Sequence, residues 1–144
     1  MTIVKKSRQV NFSCEQMYNL VNDVESYAEF LPYFSKSEVH HRDADEVRAT
    51  LVIAAAGMSK SFTTCNRLQA NKMIEIRLVE GPFSRLEGFW RFDERDEGCQ
   101  ISFDLEFDFA GRMFSMFLGP VFEQVTDLMV DAFCDRAKVI HGEC

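Results

Sequence analysis

No run of this sequence approaches the roughly 20 apolar residues of a membrane span, and its opening, MTIVKKSRQV, contains no continuous apolar stretch of signal-peptide length. A soluble, cytoplasmic chain is the expectation. The five cysteines, Cys14, Cys65, Cys99, Cys134 and Cys144, are odd in number and share no short repeated spacing. Neither a disulfide framework nor a zinc site is indicated, and a reducing compartment fits.

Positive charge is scarce. The 16 lysines and arginines against 23 aspartates and glutamates leave a formal net charge of -7, so generic nucleic-acid binding through neutralised phosphates is disfavoured and no DNA partner is expected. The cations Lys5, Lys6 and Arg8 near the start read as a solvated face that deters pairing at a sheet edge.

Catalytic patterns are also missing: there is no nucleophile elbow, no glycine-rich phosphate loop and no histidine pair at helical metal-binding spacing. His40 and His41 are adjacent on a predicted strand and point to opposite faces, so they cannot chelate one metal together. His141 falls in the last turn of a predicted helix, where a cation is favourable. Asp104, Glu106 and Asp108 share one strand face, a pattern that solvation explains. No metal, no cofactor and no catalytic residue are expected, and the chain reads as a non-enzyme.

What remains is one ordinary domain spanning residues 1–144, 47% hydrophobic, with 14 phenylalanines against one tryptophan and three tyrosines. That surplus of phenylalanine hints at a large or loosely filled apolar interior. After a strand over residues 2–11, Ser13 and Gln16 form a capping box and Phe12 can staple to Met17. The helix so started buries Met17, Leu20, Val21 and Val24. Asp23 is placed to cap a second short helix over 24–30, which Pro32 ends by pushing residue 31 out of helical geometry. Leu31 to Phe34 then follow the break as a candidate gate.

From Ser35 to Phe109 the pattern alternates between turn residues, which predicts six strands in an antiparallel meander. In CQISFDLEFDF, Ile101, Phe103, Leu105, Phe107 and Phe109 share one face and the acidic residues the other. Ile74, Ile76 and Leu78 on one strand and Leu86, Gly88, Trp90 and Phe92 on another are likewise predicted to face in. On SKSFTTCNRL the inward set is Phe62, Thr64, Asn66 and Leu68, so two polar groups sit on an apolar wall and need partners. After Gly111 a helical stripe runs through Phe114, Phe117, Leu118, Val121, Phe122, Val125, Leu128, Met129, Ala132 and Phe133, with Gly119-Pro120 predicting a kink or a fresh helix start. The class is α+β: a seven-stranded curved antiparallel sheet wrapped around a long C-terminal helix, with two short helices after strand 1 and a gap between sheet and helix.

The segments YNLVNDVESYAEFLPYF, GMSKSFTTCNRL, EGPFSRLEGFWRF, FDLEFDF and MVDAFCDRAKVIHG together resemble the coenzyme Q-binding and ribosome-association-toxin family of START-like, helix-grip proteins. The resemblance runs over nearly the whole chain, and EGPF followed by L-x-G-x-W-x-F is its most specific part. It implies one of two functions. Mitochondrial members bind ubiquinone, while bacterial members block joining of the ribosomal subunits by binding the large one; aromatic polyketide cyclase is an older label. The absence of a transit peptide points to the bacterial members. Two features depart from the family: Tyr33 and Phe34 stand where Trp or Gly and then Cys are usual, and Pro120 falls in what is normally an unbroken helix.

A polyprenyl quinone needs a long apolar groove with a few polar groups at one end, which the phenylalanine-rich helix with Thr64 and Asn66 can supply. Ribosomal RNA needs a basic patch, hence strong local asymmetry in a chain at -7. A cyclase needs a convergent acid-base pair. The expected ligand is therefore a ubiquinone-like quinone or similar lipid, carried by a chaperone with transient contact to a membrane or respiratory complex; the alternative is a ribosome association toxin on the large subunit. The expected rim is Phe30, Leu31, Pro32 and Tyr33, and the expected lining Phe62, Thr64, Asn66, Trp90, Phe117, Val121, Val125 and Met129.

Overall fold

A computed structural model describes residues 2–55 and 57–142, with Phe114 and Phe117 described at the backbone alone. Strand β1 (Thr2–Val10) leads into helix α1 (Cys14–Asn22), a 3-10 turn (Val24–Ser26) and the short helix α2 (Tyr27–Phe30). Six strands follow, β2 (Phe34–Arg42), β3 (Glu46–Ala55), β4 (Met58–Gln69), β5 (Met73–Glu80), β6 (Phe83–Arg95) and β7 (Gly98–Phe109). Helices α3 (Arg112–Phe117) and α4 (Gly119–His141) close the chain.

The seven strands form one antiparallel sheet in the order β1-β7-β6-β5-β4-β3-β2. The meander pairs each strand with the next, and β1 closes back onto β7 with Val4 opposite Leu105 and Val10 opposite Cys99. Each predicted hydrophobic alternation sits on the inner face. Ile101, Phe103, Leu105 and Phe107 are all buried, as are Leu86, Trp90 and Phe92 on β6.

Local signals act as expected at the start. The Ser13 hydroxyl accepts from the Gln16 amide at 3.0 Å while the Gln16 side chain accepts from the Ser13 amide at 2.9 Å. Asp23 behaves differently: it makes no cap to a backbone amide, and its carboxylate instead accepts from the Ser26 hydroxyl at 2.7 Å. Pro120 does not kink a helix. It stands in the first turn of α4, where its missing N–H is harmless.

The inner stripe of α4 is Phe122, Val125, Thr126, Met129, Val130, Phe133, Cys134 and Ala137. Leu128, placed in the stripe by spacing, is 40% exposed, and Val121 is half-buried. The helix is rotated toward Thr126 and Val130 because its polar flank reaches the free edge of the sheet. Lys6 Nζ meets Asp127 at 2.9 Å and Arg8 meets Asp131 at 3.0 Å. Two cations predicted to be solvated therefore tie the edge strand to the helix. Among the described residues no helix is long and apolar enough to cross a membrane.

The phenylalanine surplus is used in packing rather than in lining a large void. Phe122 lies 4.8 Å from Phe107, 5.0 Å from Phe83 and 5.8 Å from Phe62, edge-on or tilted to each. Trp90 stacks on Phe103 at 4.3 Å and receives the edge of Phe133 at 5.2 Å. Such pairs add to the stabilisation that area burial alone provides.

Candidate functional site

Between the concave face of the sheet and α4 lies a cavity of about 60 Å³. Five of the predicted lining residues meet there: Phe62, Thr64, Asn66, Trp90 and Met129. They converge because β4 and β6 present alternate side chains to one face and α4 brings Met129 across from them. The spacing argument missed several others, Tyr27, Phe122 and Thr126 among them, while Phe34, expected at the gate, also lines the cavity. Thr126 and Phe122 lie on the inner stripe one helical turn apart, so the rotation of α4 brings both in.

The rest of the predicted site falls elsewhere. Val125 is fully buried but packs in the core beside the cavity rather than lining it, and Val121 does not reach it. Phe117 lies outside the residues whose side chains are described, as does Phe114. Of the predicted rim, Leu31 is 4% exposed and belongs to the core, as does Phe34. Phe30 is half-buried and pinned rather than free: its ring meets Phe133 at 5.2 Å on one side and the Arg136 guanidinium at 5.0 Å on the other. Pro32 is half-buried, and Tyr33 alone projects outward, at a φ of 66°. That left-handed backbone suits glycine, one of the residues usual at this place, better than tyrosine. The Tyr33 carbonyl accepts from the Ala54 amide at 2.9 Å, which fixes the turn into β2. The stretch is thus a packed corner with one exposed ring, and none of the four rim residues lines the cavity.

The cavity is apolar with few polar groups. The Thr126 hydroxyl donates to the Phe122 carbonyl at 3.0 Å, and the Tyr27 hydroxyl donates to the Val21 carbonyl. Burial pushes the Tyr27 phenol far above its ordinary range, so it stays protonated. Asn66 differs: its Oδ1 is buried and has no hydrogen-bond partner among the described residues. Among the described lining residues there is no carboxylate and no histidine, and no group of three or more metal-ligating side chains stands together among the described residues. The two adjacent histidines are separately engaged, His40 with the Thr50 hydroxyl at 2.7 Å and His41 with Asp43 at 2.8 Å.

A curved antiparallel sheet closed by a long C-terminal helix over a small apolar cavity defines a START-like, helix-grip domain. The chain belongs to the polyketide cyclase/dehydrase and lipid transport family, whose sequence profile matches residues 10–134. It is 42% identical to the ribosome association toxin RatA of Pseudomonas aeruginosa, over 98% of this chain and 99% of that protein. It is 25% identical to the mitochondrial coenzyme Q-binding protein COQ10 of Drosophila melanogaster, over 92% of this chain and 57% of that protein. Among solved structures it is similar to the Zhui aromatase/cyclase from Streptomyces sp. R1128, with a TM-score of 0.83 at 20% identity, covering 99% of both chains. At that identity the likeness is one of fold.

Proposed function

We propose that this chain is a cytoplasmic binding protein that acts on ribosome association, engaging the large ribosomal subunit through its surface and hindering subunit joining, with no reaction step of its own. The observation that carries this reading over a quinone carrier is the cavity volume. At about 60 Å³ it has room for about two water-sized groups, against the roughly 300–1,000 Å³ of small-molecule sites. A substituted quinone ring with an isoprenoid tail does not enter without moving α4 off the sheet. The 42% identity to a ribosome association toxin over nearly the full chain supports the same choice. A binding role also agrees with a cavity lining that offers no acid-base pair for a cyclase.

The test is sedimentation of dissociated ribosomal subunits brought to joining conditions with and without the purified protein. Fewer joined particles, in proportion to added protein, is the expected result. An unchanged profile at saturating protein overturns the reading.

One observation favours a second reading, a small hydrophobic ligand with a hydrogen-bond donor. The Oδ1 of Asn66 is an acceptor without a partner among the described residues on the wall of an apolar cavity, and such a group gains from a bound donor. Solvent extraction of protein purified from a quinone-producing host, followed by mass spectrometry, tests it; an empty extract together with no rise in melting temperature on adding ubiquinone removes it.

A further inference from the structure

The outer face of the sheet carries a group of arginines that make no ion pair among the described residues. The chain has ten, and six are engaged: Arg8 with Asp131, Arg42 with Glu25, Arg85 with Glu87, Arg91 with Asp93, Arg136 with Glu29, and Arg95 with Gln100. Among the described residues, Arg48, Arg67, Arg77 and Arg112 make no ion pair and no side-chain hydrogen bond. Three of these four are neighbours.

Cross-strand register sets Arg48 opposite Cys65 and Cys65 opposite Arg77, in one row across β3, β4 and β5. Arg67 is two residues beyond Cys65 on the same face, and all three arginines are exposed. Glu46, the acid nearest to Arg67 across β3, is turned away to accept from the Cys65 thiol at 3.2 Å. The three guanidinium groups therefore make no ion pair among the described residues, although Glu46 and Glu75 stand opposite Arg67 and Glu87 stands opposite Arg77 in the register.

The row runs into a groove of about 460 Å³ on the same outer face, floored by the half-buried ring of Phe89 and edged by Lys5, Arg77 and Arg85 together with Glu75, Glu87, Asp104 and Glu106. An aromatic ring offers a stacking surface for a base, the carboxylates accept from exocyclic amino groups and 2′-hydroxyls, and the free guanidinium groups take phosphates.

We propose that this outer sheet face, from Arg48 through Arg77 to Phe89, is the surface through which the protein binds RNA of the large ribosomal subunit. It rests on the ribosome reading above and specifies the partner chemistry of that reading. The arginine triad tracks the sugar-phosphate backbone, and the Phe89 groove receives an unstacked base. The inner cavity takes no part.

The experiment measures binding to purified large ribosomal subunits and to protein-free large-subunit RNA, across about 50 to 200 mM salt. It compares the natural chain with the triple variant Arg48→Ala/Arg67→Ala/Arg77→Ala, with the matching triple lysine variant, and with Arg95→Ala as a control. Melting temperatures establish that each is folded. The natural chain is expected to bind both targets with a log-log salt slope of about -2 to -3, for three phosphate contacts at about 0.7–0.9 each. The alanine triple is expected to lose at least tenfold in affinity and most of the slope, the lysine triple to keep the slope, and Arg95→Ala to bind as the natural chain does. If the natural chain hinders subunit joining and the alanine triple does so equally well, this surface is wrong while the ribosome reading stands. Triad-dependent binding to subunits with none to protein-free RNA overturns the RNA assignment in favour of a ribosomal protein. No binding to either target overturns both.

Discussion

The thiols of Cys14 and Cys99 lie 2.7 Å apart, both buried, joining the first turn of α1 to the first residues of β7 across 85 positions of sequence. Desolvation, and then the neighbouring Cys14 sulfur, push the Cys99 thiol well above its ordinary range, so the Cys99 sulfur is not presented as a thiolate nucleophile. In the native protein, alkylation followed by peptide mass spectrometry is expected to modify Cys65, the half-buried thiol on the outer face, well before Cys14, Cys99 or Cys134. Labelling of Cys14 or Cys99 at the rate of Cys65 would mean that α1 opens from the sheet.

Alkaline pH should weaken the fold. Burial raises the Cys134 thiol from 9.0 to about 11, and burial likewise raises Cys99 and Tyr27. Above pH 9 the unfolded chain releases protons that the folded chain retains, so stability is complete below about pH 9 and falls as pH rises through about 11. Melting temperature is expected to be level from pH 7 to about 8.5 and to drop steadily beyond 9; a level profile to pH 11 would contradict the burial of these groups.

Asn66→Val removes the one acceptor on the cavity wall that has no partner among the described residues. An unpaired buried polar group costs about 1–3 kcal/mol, so the variant is expected to gain roughly 1 kcal/mol in denaturant unfolding. A loss of similar size would mean that Asn66 already holds a bound partner in solution.

Gly88→Ala should be among the most damaging changes in the sheet. A Cβ there would stand 2.1 Å from the Asp104 carbonyl oxygen and 2.8 Å from the Leu105 Cα. Both are backbone atoms of the adjacent strand, so β6 and β7 must separate. A loss of about 1–3 kcal/mol or more is expected from chemical unfolding.

Phe122→Ala deletes the ring that meets Phe62, Phe83 and Phe107 beside the cavity. A loss of about 3–5 kcal/mol is expected. If the enlarged cavity takes up a small apolar probe such as benzene while the natural chain does not, volume is what keeps ligands out; uptake by both would show the natural interior to be looser than its 60 Å³.

Most of the framework was readable in one dimension. A strand with one wet and one dry face repeats every two residues, so Ile101 to Phe107 announce their own burial, and a capping box at Ser13 and Gln16 is complete within four positions. Most of the cavity lining was not picked out beforehand. Phe62, Thr64, Asn66 and Trp90 were found because their strand period defines their face. Val121 and Leu128 were misplaced because a helical stripe wide enough to cover a sheet leaves its rotation open, and that rotation is set by distant pairs such as Lys6 with Asp127. Leu31 turned into the core away from the cavity, and Phe34 onto its wall, because a chain that leaves a helix at a proline can turn either way.

By itself, then, the sequence determined the order of elements, the inward faces of β4 to β7 and the start of α1, since each depends on neighbours within a few residues. Only the tertiary structure decided how far α4 rolls, how nearly the phenylalanines fill the space beneath it, and which arginines keep a partner. Those outcomes depend on side chains brought together across the whole chain, where packing volume and charge pairing act at a distance that no local spacing encodes.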